Sequence, residues 1–437
     1  MNQNRRSRSV KATKEGIEKL EAQRTKKGWS RKQLAGKTKM HLDTYERFIW
    51  GKKIFRESVL KIVEVLDLQP IDVVAADEWN GTLEPEQTPL IAEPEFLESS
   101  VLLASAYYTE RPPIESRCYE AISQLGTLIR IKAPQQMGKT LLLDRILVEA
   151  RKQNYKTVTL SFELPDSAVF NDIRKFSEWF CASVSKRLGL PNQLTNRWDD
   201  IFGCNDNTTA YFEEYLLVEC ASPLVLALDK LDRVFEHSAI ANDFCCLLRG
   251  WHEMAKRSDH RGAIWKQLRL VLVHSTDVYR SLDIKFSPLA GVGETISLPE
   301  FNQEQVQDLA QCHGLDWLDC QGIEQLIAMV GGHPYLVQLA FDYLATQKVS
   351  LKELLQIAPT EADPFGNHLR RHLRDVQQYP ELAAALYQVV TANNPVTLEP
   401  TETFKLDRMG LIQMQGNDCS PRCNLYRQYF SVRLTAT

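Results

Sequence analysis

The residues best suited to chemistry in this 437-residue sequence form the run Ala133-Pro-Gln-Gln-Met-Gly-Lys-Thr140. An alternating apolar stretch (Leu128, Ile129, Ile131) precedes the run, and a helical pattern through Leu141, Leu142 and Ile146 follows it. This is the strand–loop–helix setting of a phosphate-binding P-loop. Backbone N–H groups of such a loop, together with the helix N-terminus, cradle phosphate oxygens. Lys139 would reach the β- and γ-phosphates, and the Thr140 hydroxyl would hold Mg²⁺. The expected ligands are therefore ATP and Mg²⁺, contacted by Ala133, Gln136, Met137, Gly138, Lys139, Thr140 and Leu141. Ala133 occupies the place of the first glycine in GxxxxGK[ST], which is tolerable if that position does not need positive φ.

A site of this kind needs a second acid at the end of another buried strand, to hold the metal through water. Asp229 closes the apolar run Pro223-Leu-Val-Leu-Ala-Leu-Asp229 and is the candidate. Position 230, where a glutamate commonly polarises the attacking water, is lysine. General-base assistance is worth roughly 10²–10⁴ in rate. Lys230 cannot supply it, and its charge would pair with a phosphate or with Asp232. Asp232 and Glu163 are the alternative carboxylates. Nucleotide binding is expected to survive, with slow or absent turnover. Ser275 and Thr276 end a further apolar strand, where a polar side chain can sense the γ-phosphate. Together with Asp229 and Asp232 they form the candidate catalytic set. Gly332-His-Pro334 shapes a turn that would touch the nucleotide through Pro334, with a plain helix N-terminus as the alternative reading. Arg249 and Arg233 are candidate arginine fingers, and spacing does not choose between them.

Strands near 128–133, 156–163, 223–229, 268–276 and 294–298 alternate with helical patterns. That order implies a parallel sheet with ligands at the strands' carboxyl ends. Phe176, Trp179, Phe180, Tyr211, Phe212 and Tyr215, between the second and third strands, read as core. Helices are expected at 303–313, 321–330 and 336–344. Residues 376–437 read as helices followed by a hairpin: Met409–Met414, a turn at Gly416–Asp418, and Asn424–Tyr426. The pattern resembles a winged helix, but its five Lys/Arg balance five Asp/Glu and give no support for DNA binding.

The chain's N-terminal part has another character. Residues 1–61 carry eighteen Lys/Arg and six Asp/Glu, a net of +12. The whole chain has 52 and 56, so the remainder holds 34 against 50, a net of -16. A basic module with a polyanionic partner fits this split. Helices are expected over Gly16–Lys27, from a Ser30–Gln33 capping box, over His41–Trp50 and over Ser58–Leu66, with a turn at Thr38–Met40. "GWSRKQLA … TYERFIWGKK … VLKIVEVLDL" resembles the helix-turn-helix of phage-repressor type regulators. Leu42, Tyr45, Phe48 and Ile49 would face the core, leaving Asp43, Thr44, Glu46, Arg47 and Trp50 exposed. Two acids on that face weaken base-specific reading of DNA, so protein docking or dimerisation stays open.

Composition excludes other classes. Hydrophobic residues make up 44% and charged residues 25%, as in ordinary globular protein. No apolar run approaches the roughly 18–20 residues of a membrane helix. The N-terminus lacks the apolar core of a secretory signal, so cytoplasm is expected and no membrane partner. The ten cysteines show no paired CxxC spacing and read as reduced thiols rather than zinc ligands.

From about residue 106 to 432 the chain resembles the bacterial, largely cyanobacterial, AAA-like domain family of signal-transduction ATPases with numerous domains (STAND). The motifs that carry the resemblance are "YYTERPPIESRCYEAI", "LIRIKAPQQMGKTLLLDRIL", "LVLALDKLDRVF", "LRLVLVHSTDVY", "LPEF", "GGHPYLVQLA" and "SPRCNLYRQYF". The resemblance implies an α/β P-loop NTPase core of the additional-strand class, a helical lid and a C-terminal winged helix. It further implies that Lys139 and Thr140 are Walker A residues, Asp229 is Walker B and Pro334 belongs to the lid's GxP motif. Arg111 falls where related ATPases place a residue near the adenine or ribose. The expected organisation is a basic tail (1–11), a helix-turn-helix-like domain (12–75), an acidic, proline-rich linker (76–105), the ATPase core (106–300), the lid (301–375) and the winged helix (376–437). The leading functional expectation is a nucleotide-gated switch acting through DNA binding at 12–75, self-assembly or a signalling partner. The alternatives are an active oligomeric ATPase of remodelling, transposition or defence type, and an ATP-stabilised protein-binding scaffold.

Overall fold

The computed structural model describes residues 9–38, 42–50, 54–75, 79, 108–276, 289–347, 349–361 and 364–434. The chain divides into two compact units, residues 1–96 and 97–437.

The first unit holds helices Lys14–Lys26, Arg31–Lys37, Leu42–Ile49 and Arg56–Val65. The second begins with the expected capping box: Ser30 Oγ accepts from the Gln33 N–H at 3.2 Å, and Gln33 Oε1 accepts from the Ser30 N–H at 2.8 Å. Tyr45, Phe48 and Ile49 are buried against Leu20, Leu34, Val59 and Ile62, while Arg47 and Trp50 are exposed. Thr44 and Glu46, expected in water, are half-buried. The side chains of Leu42 and Asp43 and the turn beyond Thr38 lie outside the described residues, as does the linker apart from Trp79. Two short strands were not expected: β1 (Ser9–Val10) pairs antiparallel with β2 (Ile54–Phe55). Val10, read from the sequence as part of a basic tail, is fully buried in this unit's core.

The second unit is built on five parallel strands, β3 (Leu128–Ala133), β4 (Lys156–Ser161), β5 (Leu224–Asp229), β6 (Leu268–Ser275) and β7 (Glu294–Ser297), in the order β4-β5-β6-β3-β7. Period-two alternation supplies both faces. Ile129, Ile131, Val225, Ala227, Val271, Val273 and Ile296 pack in one core with residues of helices Ile114–Ser123 and Lys139–Lys152. Leu128, Leu160, Leu226, Leu228 and Leu270 belong to the opposite core, with the aromatic insertion. There Phe244 meets Phe162, Phe176 and Phe180 edge-on, at 5.9, 5.0 and 5.2 Å between centroids. Phe176, Phe180, Tyr211, Phe212 and Tyr215 are core, as expected, and Trp179 packs partly buried against them.

From Phe301 to Leu434 one continuous hydrophobic core joins the segments read as lid and winged helix. Strands β8 (Val396–Thr397), β9 (Ile412–Gln415) and β10 (Asp418–Pro421) form an antiparallel sheet in the order β8-β10-β9. Residues Asn424–Tyr426 are not part of the hairpin; they open the helix Asn424–Arg433. The reason is the turn. Asp418 already pairs with Gln415, so only Gly416 and Asn417 turn the chain, and the second strand is complete by Pro421. Among the described residues no helix is long and apolar enough to cross a membrane.

Removing a buried phenylalanine from a packed core destabilises by about 3–5 kcal/mol. Phe244→Ala is expected to lower the unfolding free energy of the second unit by that order in a urea titration, because three rings lose a common partner.

Candidate functional site

The parallel register brings the carboxyl ends of four strands to one edge. Ala133 stands beside Ser275, and Ser161 beside Asp229. From β3 the chain turns through 134–138 into helix Lys139–Lys152, which Gly138 caps at φ 90°. The loop's positive φ values fall on Gln136 (62°) and Gly138, not on Ala133. Alanine is therefore compatible with the first motif position. Its carbonyl accepts from Lys139 Nζ and from the Thr276 N–H, both at 3.0 Å, and the Pro134 carbonyl accepts from Lys139 Nζ at 2.7 Å.

Asp229 is engaged at both oxygens. Thr140 Oγ1 donates to Oδ2 at 3.3 Å, and the Lys230 N–H donates to Oδ1 at 2.8 Å. Burial pushes the Asp229 carboxyl above its ordinary range, and the Lys230 amide and charge with the Thr140 bond oppose the shift. Lys230 adopts a left-handed backbone at φ 57°, and its Nζ sits 3.3 Å from Glu163 Oε1. The sequence pointed to Asp232 or a phosphate as its partner; adjacency of β4 and β5 supplies Glu163 instead. Asp232 is not a loose loop residue. It begins the short helix Asp232–Phe235, and its carboxylate accepts from the Ser275 N–H. Burial raises its pKa, with the charges of Lys139 and Lys230 acting against.

These groups open onto one cleft of about 520 Å³. Of the expected contacts, Arg111, Gln136, Gly138, Lys139, Thr140, Leu141, Asp229, Asp232 and Pro334 line it, as does Lys230. Ala133 and Met137 are buried away from the wall, Met137 in the core beneath helix Lys139–Lys152. Ser275 and Thr276 do not line the wall either. Ser275 Oγ donates to the Ala133 carbonyl at 3.4 Å, and Thr276 Oγ1 donates to the Arg408 carbonyl at 2.8 Å. Arg233 pairs with Glu236 at 2.9 Å, and neither it nor Arg249 reaches the cleft. Tyr108, His274, Phe301, Tyr335 and Gln338, none of them expected from the sequence, also line the cleft, with Thr109, Val273 and Leu309. His274 was legible in the sequence as the penultimate residue of β6, the strand beside β3. Burial pushes its pKa down to about 4.

Arg111 is the least compensated group. Only 3% exposed, its guanidinium stacks 4.6 Å over the Phe301 ring, and its Nε and Nη1 are buried without a hydrogen-bond partner. A side chain on Gly138 would begin 3.2 Å from its Nη2, so the cation faces the phosphate loop itself. Phe301 is in turn seated by the Gly331-Gly332 turn: its N–H donates to the Gly332 carbonyl at 2.7 Å, and a Cβ on Gly332 would lie 2.0 Å from the Phe301 oxygen. Only glycine fits there, and helix Pro334–Gln347 starts two residues later against the cleft.

The family model for the AAA-like domain matches residues 96–432. The chain belongs to the AAA-like domain family. No curated protein matches it in sequence. Among solved structures, this AAA-like chain is similar to the Walker-type ATPase PABY2304 of Pyrococcus abyssi (14% identity, TM-score 0.49, covering 74% of this chain and 96% of that one). It is also similar to the Aeropyrum pernix ORC2 protein, solved in ADPNP–ADP complexes (13%, 0.43, 79% and 93%). Cdc6p from Pyrobaculum aerophilum is a third (13%, 0.39, 76% and 98%).

The raised pKa of Asp229 has a testable sign. A carboxyl whose folded pKa lies above its unfolded value holds its proton more tightly when folded, so it opposes stability once pH exceeds that folded pKa. Asp229→Asn is expected to melt at a higher temperature than wild type at pH 7. The difference should shrink as the pH falls through the folded pKa, read by thermal scans of the ligand-free AAA-like chain.

Proposed function

We propose that this chain is a regulatory switch of STAND type that holds ATP with Mg²⁺ in the cleft and turns it over slowly. The observation that carries the reading is the buried, unpaired guanidinium of Arg111 facing Gly138, beside Lys139. A desolvated cation with two unpartnered nitrogens calls for an anion, and triphosphate oxygens on a P-loop would supply one. The donor set also fits the metal: a hydroxyl and a carboxylate, Thr140 and Asp229, meet at 3.3 Å, and oxygen ligands suit Mg²⁺. Mg²⁺ there would neutralise phosphate charge. Lys139 and the amides at 138–140 would bind the β- and γ-phosphates. Arg111 would approach them from the Phe301 side, and Pro334 and Tyr335 would close the cleft from the helical segment.

Slow turnover is supported by where the carboxylates are spent. Asp229 accepts from Thr140 and the Lys230 amide, Asp232 accepts from the Ser275 amide, and Glu163 is paired with Lys230. Each of these three carboxylates already has a partner, and none stands at position 230, where a glutamate would polarise the attacking water. The Lys230–Glu163 pair is half-exposed, at 43% and 63% of the side chains, and exposed pairs contribute about 0–1 kcal/mol. It is therefore a weak tether.

For the output, residues 12–75 acting as a helix-turn-helix and 376–437 acting as a winged helix are the natural transmitters. The net charge of +12 over residues 1–61 and the exposed Arg47 and Trp50 support DNA as the partner of the first unit.

Two experiments test this. General-base help is worth roughly 10²–10⁴, so Lys230→Glu should raise steady-state ATP turnover at least tenfold, in a signal that Lys139→Ala abolishes. Equal turnover in wild type and Lys230→Glu would contradict the slow-turnover reading. Duplex DNA should bind the full chain at low salt, with affinity falling linearly in log–log salt plots. Absence of binding to any duplex at low salt removes DNA as the output.

A further inference from the structure

Three histidines that the nucleotide reading leaves unused, His333, His368 and His372, pack in one buried line. The ring centroids are 5.4 Å apart between the first two and 4.6 Å between the last two. They stand between the phosphate loop and the helix Asn424–Arg433. His333 hydrogen-bonds to the backbone of Gln135. His368 Nδ1 lies 3.0 Å from Gln136 Oε1, and Arg371 donates to that same oxygen at 2.9 Å. On its far side, His368 Nε2 lies 2.8 Å from the Tyr426 hydroxyl.

The direction of every bond in this chain follows from one constraint. A guanidinium only donates, so the Gln136 atom that Arg371 meets is the carbonyl oxygen. That oxygen only accepts, so His368 carries its proton on Nδ1. Burial holds His368 well below its ordinary pKa, so the ring is neutral and Nε2 accepts. Tyr426 is therefore the donor. The contact of Arg371 with His368 Nδ1, at 3.5 Å, is longer and does not change the assignment. The result is an ordered run, Tyr426 O–H to His368 Nε2 and His368 Nδ1–H to Gln136 Oε1, between residues 232 positions apart at its second step.

What the run holds is strained. Gln136 has φ 62°, a conformation that a residue with a side chain seldom adopts unless its surroundings impose it. The surroundings here are His368 and Arg371. Buried Nδ1 atoms of His333 and His372 without partners mark the same cluster as one kept despite a desolvation penalty.

We propose that Gln136 is a positioning residue, by which helices Gly366–Gln377 and Asn424–Arg433 set the backbone of the phosphate loop and in turn sense what the loop holds. The second half rests on the nucleotide reading above; the first does not. Coupling of this kind is reciprocal, so a change at either end is felt at the other.

Amide hydrogen exchange of the full chain, with and without ATP and Mg²⁺, tests both halves. Tyr426→Phe deletes one O–H, and Gln136→Gly deletes the anchor while accepting positive φ. In ligand-free protein, Tyr426→Phe should speed exchange across residues 134–140 several-fold. Gln136→Gly should do the same across 424–433, and the double variant should add little to either single one. Exchange in the aromatic layer around Phe244 should not move, which separates positioning from general loosening. In wild type ATP should slow exchange in both segments, and in Gln136→Gly only in the loop. Loop exchange in Tyr426→Phe equal to wild type overturns the positioning role. Equal protection of 424–433 by ATP in wild type and Gln136→Gly overturns the sensing role. A wild-type chain that takes up no nucleotide overturns the sensing role and the nucleotide reading together, while the ligand-free comparison still decides the positioning role.

Discussion

Charge taken out of water needs partners, and the cleft at the carboxyl edge of the sheet holds more charge than its own side chains compensate. Asp229 and Asp232 are both buried enough to be pushed toward protonation, and Arg111 is buried enough to be pushed toward losing its proton. Acid and base do not meet: the carboxylates draw on amides and a hydroxyl, and two nitrogens of Arg111 draw on nothing. A folded chain tolerates such an arrangement where a ligand completes it. An anion against Arg111 and Lys139, and a cation against Thr140 and Asp229, would remove both penalties together. The two ligands make sense as a pair.

The rest of the second unit reads as support for that cleft. The parallel register delivers the strand ends, and the Gly332–Phe301 contact fixes where helix Pro334–Gln347 begins. The single core from Phe301 to Leu434 makes the C-terminal sheet and helices one body with the helices that close the cleft. Thr276, bonded to the Arg408 carbonyl, and Gln136, bonded to His368 and Arg371, tie that body to the phosphate loop and to the strand beside it. Through these contacts a displacement of the helical body would reach the loop, which is what the proposed switch requires.

Much of this was legible in the residues. Long apolar runs such as Leu224–Asp229 could only be buried strands, and glycine-lysine-threonine after one of them marked the loop. Two-residue strands such as β1, β2 and β8 have no period to read, so they went unseen. Asn424–Tyr426 was misread because a two-residue turn shortens the hairpin, a matter of pairing rather than composition. The partner of Lys230 needed the order of strands: Glu163 follows β4 and Lys230 follows β5, and only their adjacency joins them. Arg111 was marked by family resemblance alone, because its lack of partners is a property of the folded surroundings. The histidine line is the same case, since "GGHP" and "NHLRRHLRD" say nothing of each other until they pack.

The proposed switch requires a cleft that holds ATP and keeps it. The most direct measurement is to load the full chain with ATP and Mg²⁺, separate it from free nucleotide, and identify what remains bound over time. About one nucleotide per chain should remain, still triphosphate after many minutes, and none on Lys139→Ala. No retained nucleotide on wild type, or rapid conversion to diphosphate with release and reloading, would contradict it.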